Sequence, residues 1–366
     1  MTAAWYRFAM RPSFVLLLGL LVPVVVPAQR GGPAAACTTA TAACTGWVTF
    51  GDGKARSMVY RSYPLDVKND GIRRALIMVH GTNRNADHYF MTSMAAAFLA
   101  GAVDDTVVIA PHLIQAMTAD QPEPNEVVWE SSWRTGGPSR SHPTLSSFDL
   151  VDEVLRKLSN KAVFPNLRAI VVAGHSAGGQ FANRYEMSNK IHDTLGVPVT
   201  YVVANPSSYA WPDAVRPLPT GDADPAKAKD GWNQPDVTPL PPHAGYTFGP
   251  FDATRAPSFN NWPSGFDKRT GYTENTTDAQ LKKQLIERPT TYLLGQVDTL
   301  PLGGFDSSAN AMAQGPTRRA RGEAYFKYIT DTLGAKQKIM IVPECGHNDR
   351  CMFTTDIVFP AIFPKF

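Results

Sequence analysis

Apolar residues in this chain gather in short runs separated by glycine, proline and polar clusters, and between several runs the spacing shifts to the three-to-four repeat of a helix. The runs at 75–79, 107–110, 169–173, 199–204, 291–294 and 338–342 each predict a strand. Two earlier stretches, 47–50 and 57–63, interchange apolar and polar positions as an edge hairpin does. Helical patterns fall at 95–99, at 148–158, which is amphipathic, and at 180–185. Strands alternating with helices predict an α/β fold with a mostly parallel sheet flanked by helices, its site at the C-terminal ends of the strands. No internal repeat is present.

The alternation breaks between 210 and 278. Prolines, glycines and polar residues are mixed there with Trp211, Trp232, Tyr246, Phe248, Phe251, Phe259, Trp262, Phe266 and Tyr272, with little periodicity. So many aromatics give the segment apolar surface to bury, which argues against disorder. A long ordered insertion of this kind is expected to be a functional cap. A second aromatic segment, 129–141, contains Trp133 and is expected to border the same cleft.

The N-terminus carries Arg7 and Arg11 ahead of the apolar stretch 14–26, followed by Val26-Pro27-Ala28. A basic start, a short apolar core and small residues at its end form an export signal, and the stretch is too short to span a bilayer comfortably. Residues 1–28 are therefore expected to be cleaved, leaving 29–366 as one domain exported to the periplasm or the medium, with no membrane attachment afterwards. Loss of the two arginines lowers the formal charge from +3 to +1. No basic cluster is present that would suit nucleic acid.

The run 169–173 leads into Gly174-His175-Ser176-Ala177-Gly178 and then into a helical pattern. A serine on a strand-to-helix turn, with glycines on either side, has the form of a nucleophile elbow. Here the chain resembles the α/β-hydrolase superfamily, in which the acid and then the histidine follow the serine along the chain. That order implies Asp298, after the run 291–294, as the acid, with Asp306 as its competitor. It implies His347 as the base, since no other histidine follows Asp298. In this superfamily the oxyanion is met by the amide after the nucleophile and by one from the loop after an earlier strand. The resemblance thus implies Ala177 and, in the His80-Gly81-Thr82-Asn83 turn, Thr82. Secreted polyhydroxyalkanoate depolymerases and related feruloyl esterases often carry cysteine where Thr82 stands, so the resemblance stops at the superfamily. His80, Trp133, Tyr209 and Trp211 are candidates for contact with substrate, although His80 also suits a packed structural histidine.

Four cysteines in an exported chain favour disulfides. Three pairings are possible, and local spacing favours Cys37 with Cys44 and Cys345 with Cys351, the second enclosing His347. A metal site from Cys345, His347, Asp349 and Cys351 is the rival, but no second ligand cluster or metal-binding motif accompanies it. The reading is a serine hydrolase of carboxylic esters, small or polymeric, that uses no cofactor and no metal. The alternatives are an amidase or peptidase of the same fold and a non-catalytic binding module.

Overall fold

The computed structural model describes residues 35–115, 121–219 and 246–366. The expected leader, residues 1–28, lies outside the described residues, as does the stretch 220–245 of the expected cap. Among the described residues no helix is long and apolar enough to cross a membrane.

The elements that place the site are β1 (Thr45–Phe50), β2 (Ala55–Arg61), β3 (Arg74–Val79), α1 (Ala86–Leu99), β4 (Thr106–Pro111), α2 (Ser147–Ser159), β5 (Ala169–His175), α3 (Ala177–Ser188), β6 (Val199–Ala204), β7 (Val215–Pro219), β8 (Tyr246–Pro250), β9 (Thr290–Gly295) and β10 (Lys338–Val342). Eight strands form one sheet in the order β1-β2-β4-β3-β5-β6-β9-β10. The pairs β1 with β2 and β2 with β4 are antiparallel, and the others are parallel.

All seven residues of β5 are buried, because helices cover both faces of the sheet. Its side chains alternate between two cores. Ile170 and Val172 join Ile77, Val79 and Ile109 against Phe148 and Phe181 of α2 and α3. Val171 and Ala173 join Leu76, Met78 and Val108 against Phe90 and Met94 of α1. A strand buried on both faces needs apolar residues at every position, hence the uninterrupted runs. Burying each large side chain contributes about 1.5–3 kcal/mol, so a polar residue at Val171 or Val172 would be poorly tolerated.

α2 starts at a reciprocal cap, with the Ser146 hydroxyl accepting from the Asp149 amide and the Asp149 carboxylate accepting from the Ser146 amide at 2.8 Å. Its Phe148, Val151, Leu155 and Leu158 form the buried stripe. Within 210–278, β7 and β8 pair as a separate antiparallel ribbon. Trp211, Tyr246 and Phe266 of this segment sit in a third core with Tyr292, Tyr325 and Tyr328.

Candidate active site

Central strand β5 ends at His175, and α3 begins at Ala177, so Ser176 alone makes the turn. It does so with φ 58° and ψ −118°, a backbone that side-chain-bearing residues rarely adopt and that costs of order 1–3 kcal/mol. The flanking glycines are needed for clearance. A Cβ on Gly174 would lie 2.1 Å from the Gly178 carbonyl oxygen, and one on Gly178 would lie 2.1 Å from that of Val79. The surrounding packing therefore holds the strain and keeps the serine above the strand end.

His347 lies in the loop after β10, and Asp298 in the loop after β9. His347 Nε2 is 2.9 Å from Ser176 Oγ, and its Nδ1 is 2.8 Å from Asp298 Oδ2. An ionised carboxylate can only accept, so Nδ1 carries the proton and Nε2 is left to accept from the serine hydroxyl. Asp298 is 2% exposed. Asp306, the competing acid, instead accepts from the Ser308 amide at 3.0 Å.

Both late loops are tied to the end of β6 by Asn205, which sequence reasoning did not single out. Its Oδ1 accepts from the Gly295 amide at 2.8 Å, and its Nδ2 donates to the Gly346 carbonyl at 3.2 Å. Its own φ is +44°, where asparagine is among the few residues at home. The Asn-Pro pair at the strand end is the signal that could have found it. α1 holds the other side of the histidine loop, since Thr92 Oγ1 donates to Asp349 at 2.9 Å and His88 Nε2 meets the same carboxylate at 2.9 Å. The structure also bonds Cys345 to Cys351 and Cys37 to Cys44. With its cysteines joined and Asp349 engaged by α1, the rival metal set is used up in structural contacts.

His175, beside the serine, is no second base. Burial, and after it the neighbouring His347, push it well below the usual histidine range. Its Nδ1 meets the Tyr89 hydroxyl at 3.0 Å, and its ring lies 4.7 Å from that of His347. A neutral ring there adds no charge against an imidazolium at His347.

The His80-Gly81-Thr82 turn runs alongside the elbow, where a Cβ on Gly81 would lie 3.8 Å from Ser176 Cβ. The Ala177 amide belongs to the first turn of α3, where amides have no partner within the helix. The four candidates for substrate contact stand differently from expectation. His80, Tyr209 and Trp211 are wholly buried and Trp133 is 2% exposed, so none of them presents its side chain to solvent. His80 is held by the backbone on both ring nitrogens, at 2.9 Å from the Gly81 carbonyl and 3.2 Å from the Leu113 amide. Burial lowers its pKa to about 3, so it is neutral. Trp133 packs edge-on against it at 5.0 Å. Tyr209 stacks on Tyr325 at 4.5 Å and Trp211 meets the same ring at 5.4 Å.

The model of the alpha/beta hydrolase family matches residues 76–356, and the chain belongs to that family. Its fold is similar to that of LpqC, a poly(3-hydroxybutyrate) depolymerase from Bordetella parapertussis, with 20% identity over 84% of each chain and a TM-score of 0.55. It is likewise similar to poly(aspartic acid) hydrolase-1 from Sphingomonas sp. KT-1, with 22% identity over 84% of this chain and 95% of the other and a TM-score of 0.56. No curated protein sequence matches the chain.

Proposed function

We propose that the protein is an exported serine hydrolase of carboxylic esters that works through an acyl-enzyme. The observation that carries this reading is the hydrogen-bonded line from Ser176 through His347 to Asp298. Ser176 Oγ attacks the acyl carbon as His347 Nε2 takes its proton, and Asp298 holds and stabilises the imidazolium. The amides of Ala177 and Thr82 receive the developing oxyanion. His347 then gives the proton to the leaving alkoxide, and the alcohol departs. A water molecule, losing a proton to the same nitrogen, attacks the acyl-enzyme and releases the acid and free Ser176.

No step calls for a cofactor, and an ester suits the site because its alkoxide needs less help to leave than an amine does. The N-terminal pattern and the two disulfides support export. The described parts of 210–278, which follow β6, fit a cap that borders the acyl site. The test is labelling with a serine-directed phosphonate and hydrolysis of p-nitrophenyl esters, comparing the parent with Ser176→Ala. We expect labelling only in the parent and a loss of about 10³-fold or more in turnover. A folded Ser176→Ala protein that keeps most of its activity would overturn the reading.

A further inference from the structure

The residues around Gln180, Ser207 and Ser208 hold more positive charge than the proposed chemistry uses. Gln180 and Arg184 stand four apart on one face of α3, and the Gln180 amide donates to the carbonyl of Ser176, the residue that caps the helix, at 2.9 Å. Gln180 Nε2 donates to Ser208 Oγ at 2.8 Å, Arg184 Nη2 donates to the same hydroxyl at 3.3 Å, and Arg184 Nη1 donates to the Gln180 carbonyl at 2.9 Å. Beside Ser208, Arg318 Nε donates to Ser207 Oγ at 2.8 Å and Arg321 donates to the Ser207 carbonyl. Arg184, Arg318 and Arg321 are all buried to within 1%.

Burial is the largest influence on these three guanidinium groups and on Arg134, and it lowers each, yet all remain charged at neutral pH. Asp298 is engaged by His347 and Arg318. Asp306 is the carboxylate that acts on all four in the opposite sense. The cluster is therefore in positive excess.

Arg134 is the member of this cluster that reaches solvent. Its Nη1 is 3.4 Å from Gln180 Oε1 and its Nε donates to the Ser131 carbonyl at 3.2 Å. Among the described residues no carboxylate forms an ion pair with it. Gln180 stands one helical turn from Ser176, roughly 6 Å along the axis. An anion beside Arg134 would thus sit a few carbon atoms from the carbon that Ser176 attacks.

We propose that Arg134, backed by Gln180 and the buried arginines, is an anion subsite, and that the preferred ester carries a free carboxylate a few carbons from its scissile bond. This rests on the reading of Ser176 as the nucleophile of an ester hydrolase. The guanidinium offers paired donors to the carboxylate, and the three buried cations add a field that solvent screens poorly. Half-esters of short diacids have this form.

The test compares monoethyl glutarate with ethyl valerate, which differ by a carboxylate in place of a methyl group, by titrating released acid at constant pH. We expect kcat/KM to favour the glutarate ester at least tenfold in the parent. Arg134→Gln should cut that ratio at least tenfold. Asp306→Asn should raise it by removing the competing carboxylate. Hydrolysis of ethyl valerate with a ratio near one, or a ratio that Arg134→Gln leaves in place, overturns the subsite while leaving the ester-hydrolase reading standing. If neither ester is hydrolysed, that reading is what fails, and calorimetry of glutarate with the Ser176→Ala protein decides the subsite. Binding lost in the Ser176→Ala, Arg134→Gln double variant supports it, and absent or equal binding overturns it.

Discussion

Arg318 Nη1 lies 3.5 Å from Asp298 Oδ1, with both side chains withdrawn from water, at 0% and 1% exposure. The same guanidinium donates to the Gly303 carbonyl at 2.9 Å. Arg318 therefore holds the carboxylate that faces His347 and also pins the loop carrying it. An isolated buried carboxylate is costly, and the arginine offsets that cost.

Arg318→Gln is expected to lower kcat/KM on the order of 10²-fold, because the acid loop loses its anchor and the imidazole its alignment. Steady-state rates of the variant with a neutral ester make the comparison, and an unchanged kcat/KM would mean that the acid loop holds its place without the arginine.

Asp298→Asn should lower turnover by orders of magnitude, since an amide can offer its N–H to Nδ1 and so stabilise the wrong tautomer. Asp306→Asn should cost far less, because no hydrogen bond links Asp306 to His347. Steady-state rates with a neutral ester for both variants decide the ranking. The reverse order would move the acid role to Asp306.

The central strands were legible because β3, β5 and β6 are buried on both faces and so need unbroken apolar runs. The order of Ser176, Asp298 and His347 was legible because a sharp turn and two strand ends leave local signs. α1 was less so. Its pattern suggested a helix only at 95–99, whereas it begins at Ala86. Its first turns carry His88 and Thr92, polar residues that hold the histidine loop and so mask the apolar stripe. Tyr209 and Trp211 were expected near substrate, whereas both are buried against Tyr325, more than a hundred positions away. Asn205, Arg134 and Arg318 have roles that only the folded chain brings together.

Glu186 is wholly buried on α3, with its Oε1 accepting from Asn183 Nδ2 at 2.9 Å and from the Tyr292 hydroxyl at 2.8 Å. Burial pushes it up from 4.5 to about 7, and hydrogen bonds from Thr290, Tyr292 and Asn183 only partly oppose this. The folded state therefore holds the proton more tightly than the unfolded chain does. The resulting stability is fully present below about pH 4.5 and is lost as pH rises through about 7, a change on the order of 3 kcal/mol. Asp152, raised by burial to about 6, acts in the same sense. Thermal midpoints measured between pH 4.5 and 8 should fall less steeply for Glu186→Gln than for the parent. Parallel curves would remove Glu186 from the pH dependence.

The Cys345–Cys351 bridge encloses His347, and Cys345 is itself 1% exposed in the core beneath the loop. The bridged loop is short, so the bridge should contribute only about 2 kcal/mol to global stability in the chain-entropy account. Its effect on geometry should be larger. Asn205 still holds Gly346 and Thr92 still holds Asp349 when the bridge is cut, so the loop stays attached at both ends while the imidazole between them gains freedom. A displacement of about 1 Å from Ser176 can cost roughly 10²-fold in rate. The Cys345→Ser, Cys351→Ser double variant should therefore lose activity by one to two orders of magnitude with a thermal midpoint only a few degrees lower, since about 1 kcal/mol shifts the midpoint of a large domain by about 2–4 °C. Ester hydrolysis and calorimetric melting of the same preparations make the comparison. Full activity in the variant would mean that Asn205 and Thr92 suffice to hold the base. Activity and folding lost together would make the bridge a part of the core and not a guide for His347.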